Sequence, residues 1–92
     1  MPEMQFVVRW PDDTVMACYS PSVIVRDYFV VGEAYAVSDF VERSTTALGI
    51  ASERVREKFG FPCENALAQL SRIVSTAERF ASDARVTIEG FS

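Results

Sequence analysis

The sequence predicts an α+β fold in the order β-β-(short α)-α-α-β, with a small antiparallel sheet and two main helices packed on one face. Two observations carry this. Both ends of the chain alternate apolar and polar residues, at Met4 to Trp10 and at Arg85 to Phe91, the period-two mark of a half-buried strand. Two central stretches, near 39–59 and 64–80, repeat apolar residues at helical spacing. Strands in one region and helices in another favour segregated layers.

Each element has a local reason. Met4, Phe6, Val8 and Trp10 share one face of the first strand, with Gln5, Val7 and Arg9 opposite. Pro11-Asp12-Asp13 supplies turn residues, and Thr14 to Tyr19 reads as the return strand of a hairpin. Ser20-Pro21-Ser22 is a helix-start signal, a capping hydroxyl with proline behind it. It predicts a short helix over 23–29, although the β-branched run Val23-Ile24-Val25 suits a strand instead. Residues 30–37 read as an ordered loop.

Ser38-Asp39 reads as the cap and acidic first turn of a long helix. Its apolar side collects Phe40, Ser44, Ala47, Leu48, Ala51, Val55 and Phe59, and Gly60 ends it. Gly49, in its interior, is either tolerated or marks close approach of another backbone. The second helix, about Glu64 to Phe80, gathers Ala66, Leu67, Leu70, Ile73, Val74, Ala77 and Ala81 on one face, with Gln69, Arg72, Ser75 and Arg79 off it. Leu70 and Ile73 are expected in the core. Val86 and Ile88 define the inner face of the last strand, expected beside the first because two strands alone are barely stable.

Size and charge narrow the function. Ninety-two residues make one domain, 1–92, burying about 60–65% of its unfolded surface. No apolar run approaches the roughly 20 residues of a membrane span. Met1-Pro2-Glu3 lacks the basic opening of a secretory leader, so a cytoplasmic protein without membrane association is expected. A formal charge of -4, with Arg54, Arg56 and Lys58 interleaved by Glu53 and Glu57, argues against nucleic acid as a partner. Histidine is absent, which removes the commonest general base and a common metal ligand. Zinc, P-loop, dinucleotide and serine-elbow patterns are missing too, so no cofactor, metal or catalytic residue is assigned.

The segment from Cys18 to Phe40 is the least regular and the richest in hydroxyl and aromatic groups. Tyr19, Ser20, Ser22, Arg26 and Tyr28 form its candidate binding cluster, because an arginine beside hydroxyls and aromatic faces can clamp a carboxylate or phosphate. The plainer reading is a capping serine, a snorkelling arginine and aromatics closing the core. Cys18 and Cys63 have no C-x-x-C spacing and read as free thiols. Each precedes a predicted helix, a setting that can lower a thiol's pKa, but neither has a histidine to serve as its base.

Four segments together carry a family resemblance: Phe6-Val7-Val8-Arg9-Trp10-Pro11-Asp12, Cys18-Tyr19-Ser20-Pro21-Ser22, Asp39-Phe40-Val41, and Ile50-Ala51-Ser52-Glu53-Arg54-Val55-Arg56 with Lys58-Phe59-Gly60-Phe61. Over essentially the whole chain the sequence resembles the small nitrogen-starvation-response proteins encoded in bacterial nitrilase gene clusters. The resemblance implies a setting in nitrogen scavenging from nitriles or cyanide, beside a nitrilase, a radical-SAM protein, an acetyltransferase, a synthetase-like protein and a flavin-dependent oxidoreductase. It implies no catalytic residue.

The leading expectation is a noncatalytic accessory protein that binds a partner enzyme or a small metabolite of that pathway. The competing one is a small enzyme or carrier using Cys18 or an acid of the 18–39 segment. Two sheet edges and an uncovered face predict a homodimer, with Val7, Val15 and Ala17 and an exposed Trp10 or Phe91 supplying the patch.

Overall fold

The computed structural model describes residues 3–92; the reading of Met1 and Pro2 lies outside them. Strands β1 (Met4–Arg9) and β2 (Val15–Ser20) pair antiparallel, with Phe6 opposite Cys18 and Val8 opposite Met16. Their loop is a turn closed by Asp13 N–H donating to the Trp10 carbonyl at 2.9 Å, followed by left-handed backbone at Asp13 (φ 69°). This is the usual three-residue hairpin connection, and aspartate is among the few side chains that tolerate left-handed backbone at its last position. The Asp12 carboxylate accepts from the Thr14 hydroxyl at 2.6 Å and the Thr14 N–H at 3.1 Å. Those two bonds hold its pKa below the ordinary 3.8.

A 3-10 helix, Val23–Asp27, follows the Ser20-Pro21-Ser22 turn. The helical expectation for 23–29 therefore holds in a shorter, tighter form. The loop expected over 30–37 contains a strand: β3 (Ala34–Ala36) pairs antiparallel with β4 (Arg85–Phe91), Tyr35 opposite Val86. Three residues are too few to show alternation, and only the pairing with β4 reveals them. Gly32, with φ 88°, turns the chain into this strand and donates its N–H to the Ile88 carbonyl at 2.8 Å. The sheet has four strands in the order β2-β1-β4-β3, and the last strand does lie beside the first.

Helix α1 (Val37–Phe59) begins one residue before the expected serine cap. Its N-cap is Ala36, without a side-chain bond. The first amides are instead satisfied across space, Val37 N–H to the Ala84 carbonyl at 2.8 Å and Ser38 N–H to the Ser82 carbonyl at 3.1 Å. Gly60 closes α1 in left-handed backbone (φ 87°), its N–H donating to the Arg56 carbonyl, as the sequence predicts. A Cβ built on Gly49 meets nothing within 4 Å, so this glycine is tolerated rather than required.

Helix α2 (Glu64–Ala77) ends three residues before the expected Phe80. There the chain tightens into i→i+3 bonds, with Arg79 N–H donating to the Thr76 carbonyl and Phe80 N–H to that of Ala77.

The core lies between the helices and one sheet face. Phe6, Val8, Val86 and Ile88 are buried there with Phe29, Phe40, Leu48 and Ile73. Trp10 is buried too, stacked on Phe80 at 5.7 Å and edge-on to Phe40 at 5.4 Å, which corrects its expected exposure. Phe91 is half-buried and packs against the same core. Ile73 is fully buried, and Leu70 packs on the core while half-buried.

The helical faces depart from the sequence reading at four positions. Leu67, Val74 and Phe59 are exposed, while Gln69, expected on the polar side, is buried. Gln69 turns inward because β2 is an edge strand: its Oε1 accepts the Tyr19 N–H at 3.0 Å. A buried backbone donor needs a partner, and α2 supplies one.

Candidate functional site

The Ser20-Pro21-Ser22 turn is built by its own hydroxyls. Ser20 Oγ donates to the Ser22 carbonyl at 2.6 Å and accepts the Ser22 N–H at 3.3 Å. Ser22 Oγ accepts the Ile24 N–H at 3.3 Å, capping the 3-10 helix from an extended backbone. It also accepts from Arg54 Nη1 of α1 at 3.1 Å. Ser20 and Ser22 are both buried. Their hydroxyls shape the turn and anchor an arginine, and do not face solvent.

The turn and its flanking residues line hollows on two sides. On one side Tyr19 and Pro21 meet Glu3, Val55, Phe59 and Cys63 around an opening of about 240 Å³. A neighbouring hollow of about 370 Å³ shares Val55 and Cys63 and adds Phe61, Pro62, Glu64 and Asn65. Phe59 and Phe61 are 56% and 65% exposed, so apolar rings stand at the water boundary here. Burial, with Cys63 and Glu3 adding to it, pushes the Tyr19 hydroxyl up to about 12, so the phenol stays neutral at physiological pH.

On the other side Arg26, Asp27 and Arg54 line a hollow of about 420 Å³ together with Val23 and Ile24. The five candidate residues are thus divided. Ser22 connects to the Arg26 hollow through Arg54, and Tyr19 belongs to the apolar side. Tyr28 joins neither: it packs half-buried against the core, and its carbonyl accepts from Arg43 Nη1 at 3.0 Å.

Sequence reasoning missed Arg54, Val55, Phe59, Phe61 and Cys63 as site residues. Arg54 read as part of a mixed solvated face, and no local pattern announces a bond to a serine 32 positions away.

Cys18 is fully buried in β2, and burial pushes its thiol up to about 12. Cys63 is the N-cap of α2 but makes no side-chain capping bond; its backbone N–H donates to Ser52 Oγ at 3.3 Å. Among the described residues no group of three or more histidine, cysteine, aspartate or glutamate side chains is placed to hold a metal ion, and no helix is long and apolar enough to cross a membrane.

Comparison with known proteins adds one match: the family model described as nitrogen starvation-induced protein NitG aligns with residues 5–91. No curated protein and no solved structure matches.

Proposed function

Because the chain belongs to the NitG family of nitrogen starvation-induced proteins, we propose that it is a noncatalytic accessory protein of that response which works by binding a partner protein. The observation that carries this is the apolar end of the molecule. Phe59 and Phe61 are exposed beside Val55, Pro62, Cys63, Tyr19 and Pro21, across two hollows that share residues. Exposed apolar side chains gathered at one place mark interaction surfaces more often than chance scatter does. Aromatic rings at the centre of such a patch supply most of the energy of association.

The noncatalytic reading draws on Cys18, the thiol that a small enzyme or carrier would use. Buried and held protonated, it offers no thiolate to a substrate. The partner is proposed to be a protein encoded in the same nitrilase-type cluster, and the setting the cytoplasm. The test is affinity purification from nitrogen-starved cells with wild-type protein and with Phe59→Ser/Phe61→Ser. A co-encoded protein held by the wild type and lost by the variant supports the reading. Equal recovery on both rejects this surface.

We further propose self-association through the uncovered sheet face. Val7, Ala17 and Val15 lie there together, on alternate positions from the buried residues of β1 and β2, and Val15 is 54% exposed. Light scattering showing only monomer at high micromolar concentration would rule the homodimer out.

A further inference from the structure

Arg26 and Arg54 come from segments far apart in sequence and line one hollow. Neither forms an ion pair with a carboxylate among the described residues, whereas Arg9, Arg43, Arg56 and Arg79 each do. Two like charges converge in a chain whose formal charge is -4. Arg54 is also positioned: Ser22 Oγ, on a side chain only 1% exposed, accepts its Nη1 at 3.1 Å. That bond leaves the other guanidinium donors for a ligand.

We propose that this hollow binds a small dicarboxylate, one carboxylate on Arg26 and the other on Arg54. Two features select the class. A guanidinium presents parallel N–H donors that match a carboxylate edge, and two separated guanidinium groups match two edges. Val23 and Ile24 contribute apolar surface to the same lining, which suits a short hydrocarbon spine better than the compact, fully polar surface of inorganic phosphate. Asp27 also lines the hollow and opposes an anion, so its charge limits affinity and rejects ligands that bring no second carboxylate to offset it.

The inference is independent of the protein-partner reading, because no residue of this hollow lines the apolar hollows around Tyr19 and Phe61. The test uses the purified full chain, titrated with succinate, acetate and inorganic phosphate at constant ionic strength and followed by calorimetry and by arginine side-chain NMR signals. Succinate is expected to bind with Kd near or below about 1 mM. It is expected to shift the Arg26 and Arg54 signals and to bind more tightly than acetate or phosphate.

Arg26→Ala removes an exposed side chain that makes no side-chain hydrogen bond or ion pair among the described residues, and should weaken succinate about tenfold or more. Asp27→Asn should tighten it. Three results would each overturn the proposal: phosphate binding as well as succinate, succinate binding unchanged in Arg26→Ala, or no saturable binding by wild type.

Discussion

The bond between Gln69 and β2 offers a sharp test of how the helices hold the sheet. Gln69 is 5% exposed, and its Oε1 accepts the Tyr19 N–H at 3.0 Å, the donor that an edge strand would otherwise leave unpaired. Gln69→Met keeps the length and approximate volume of the side chain and removes the acceptor. An unsatisfied buried donor costs about 1–3 kcal/mol. Tyr19 is half-buried, so water can partly solvate the freed amide and the lower half of that range applies, about 1–2 kcal/mol. For a domain of this size each kcal/mol moves Tm by about 4–8 °C, so a fall of roughly 4–15 °C is expected. Urea denaturation gives the stability change, and amide hydrogen exchange locates it: Tyr19 should lose protection before its cross-strand partner Gln5 does. Unchanged stability together with unchanged exchange at Tyr19 would refute the edge-sealing role of Gln69.

Other outcomes follow from the same structure. Gly49→Ala should stabilise by up to about 1 kcal/mol, because the position is helical and open, and a lower Tm would contradict this. Ile73→Ala should cost about 2–5 kcal/mol by denaturant titration, since the side chain is fully buried in the core. Under native conditions a thiol reagent should label the half-buried Cys63 and spare Cys18 until the protein unfolds; rapid native labelling of Cys18 would revive the enzyme or carrier reading. Thr14→Val should raise the Asp12 pKa toward 3.8 in an NMR titration. The folded-state pKa is depressed there, so the contribution of the Asp12–Thr14 bonds is present above 3.8 and lost as pH falls through the lower folded value.

Strong periodicity made most of the fold legible. The alternation of Phe6 and Val8, and of Val86 and Ile88, identified two central strands because each is buried on one face only. The turn at Pro11–Asp13 and the stop at Gly60 were readable because particular residues suit particular backbone angles. What escaped depends on contacts distant in sequence. The strand Ala34–Ala36 exists through its pairing with β4, and α1 starts without a serine cap because the carbonyls of Ser82 and Ala84 take its first amides. Gln69 broke the polar-outside rule because an edge amide needed an acceptor.

The site was legible in part. Ser20, Ser22 and Arg26 were singled out for hydroxyl and cationic chemistry, and the structure links Ser22 to the Arg26 hollow through Arg54, a residue that sequence spacing does not bring to notice. Tyr19 faces a different hollow and Tyr28 neither one, because the turn between Tyr19 and Val23 divides the surface.

The proposed binding surface at the end of the helical pair is tested most directly by purifying any co-encoded protein captured from nitrogen-starved cells and measuring its affinity for the wild-type chain and for Phe59→Ser/Phe61→Ser. Both rings are exposed, so the variant should keep the wild-type Tm. Loss of two central aromatic contacts should weaken binding by at least about 2 kcal/mol, roughly thirtyfold. A variant that is equally stable and binds that protein as tightly as the wild type would contradict the assignment of this surface.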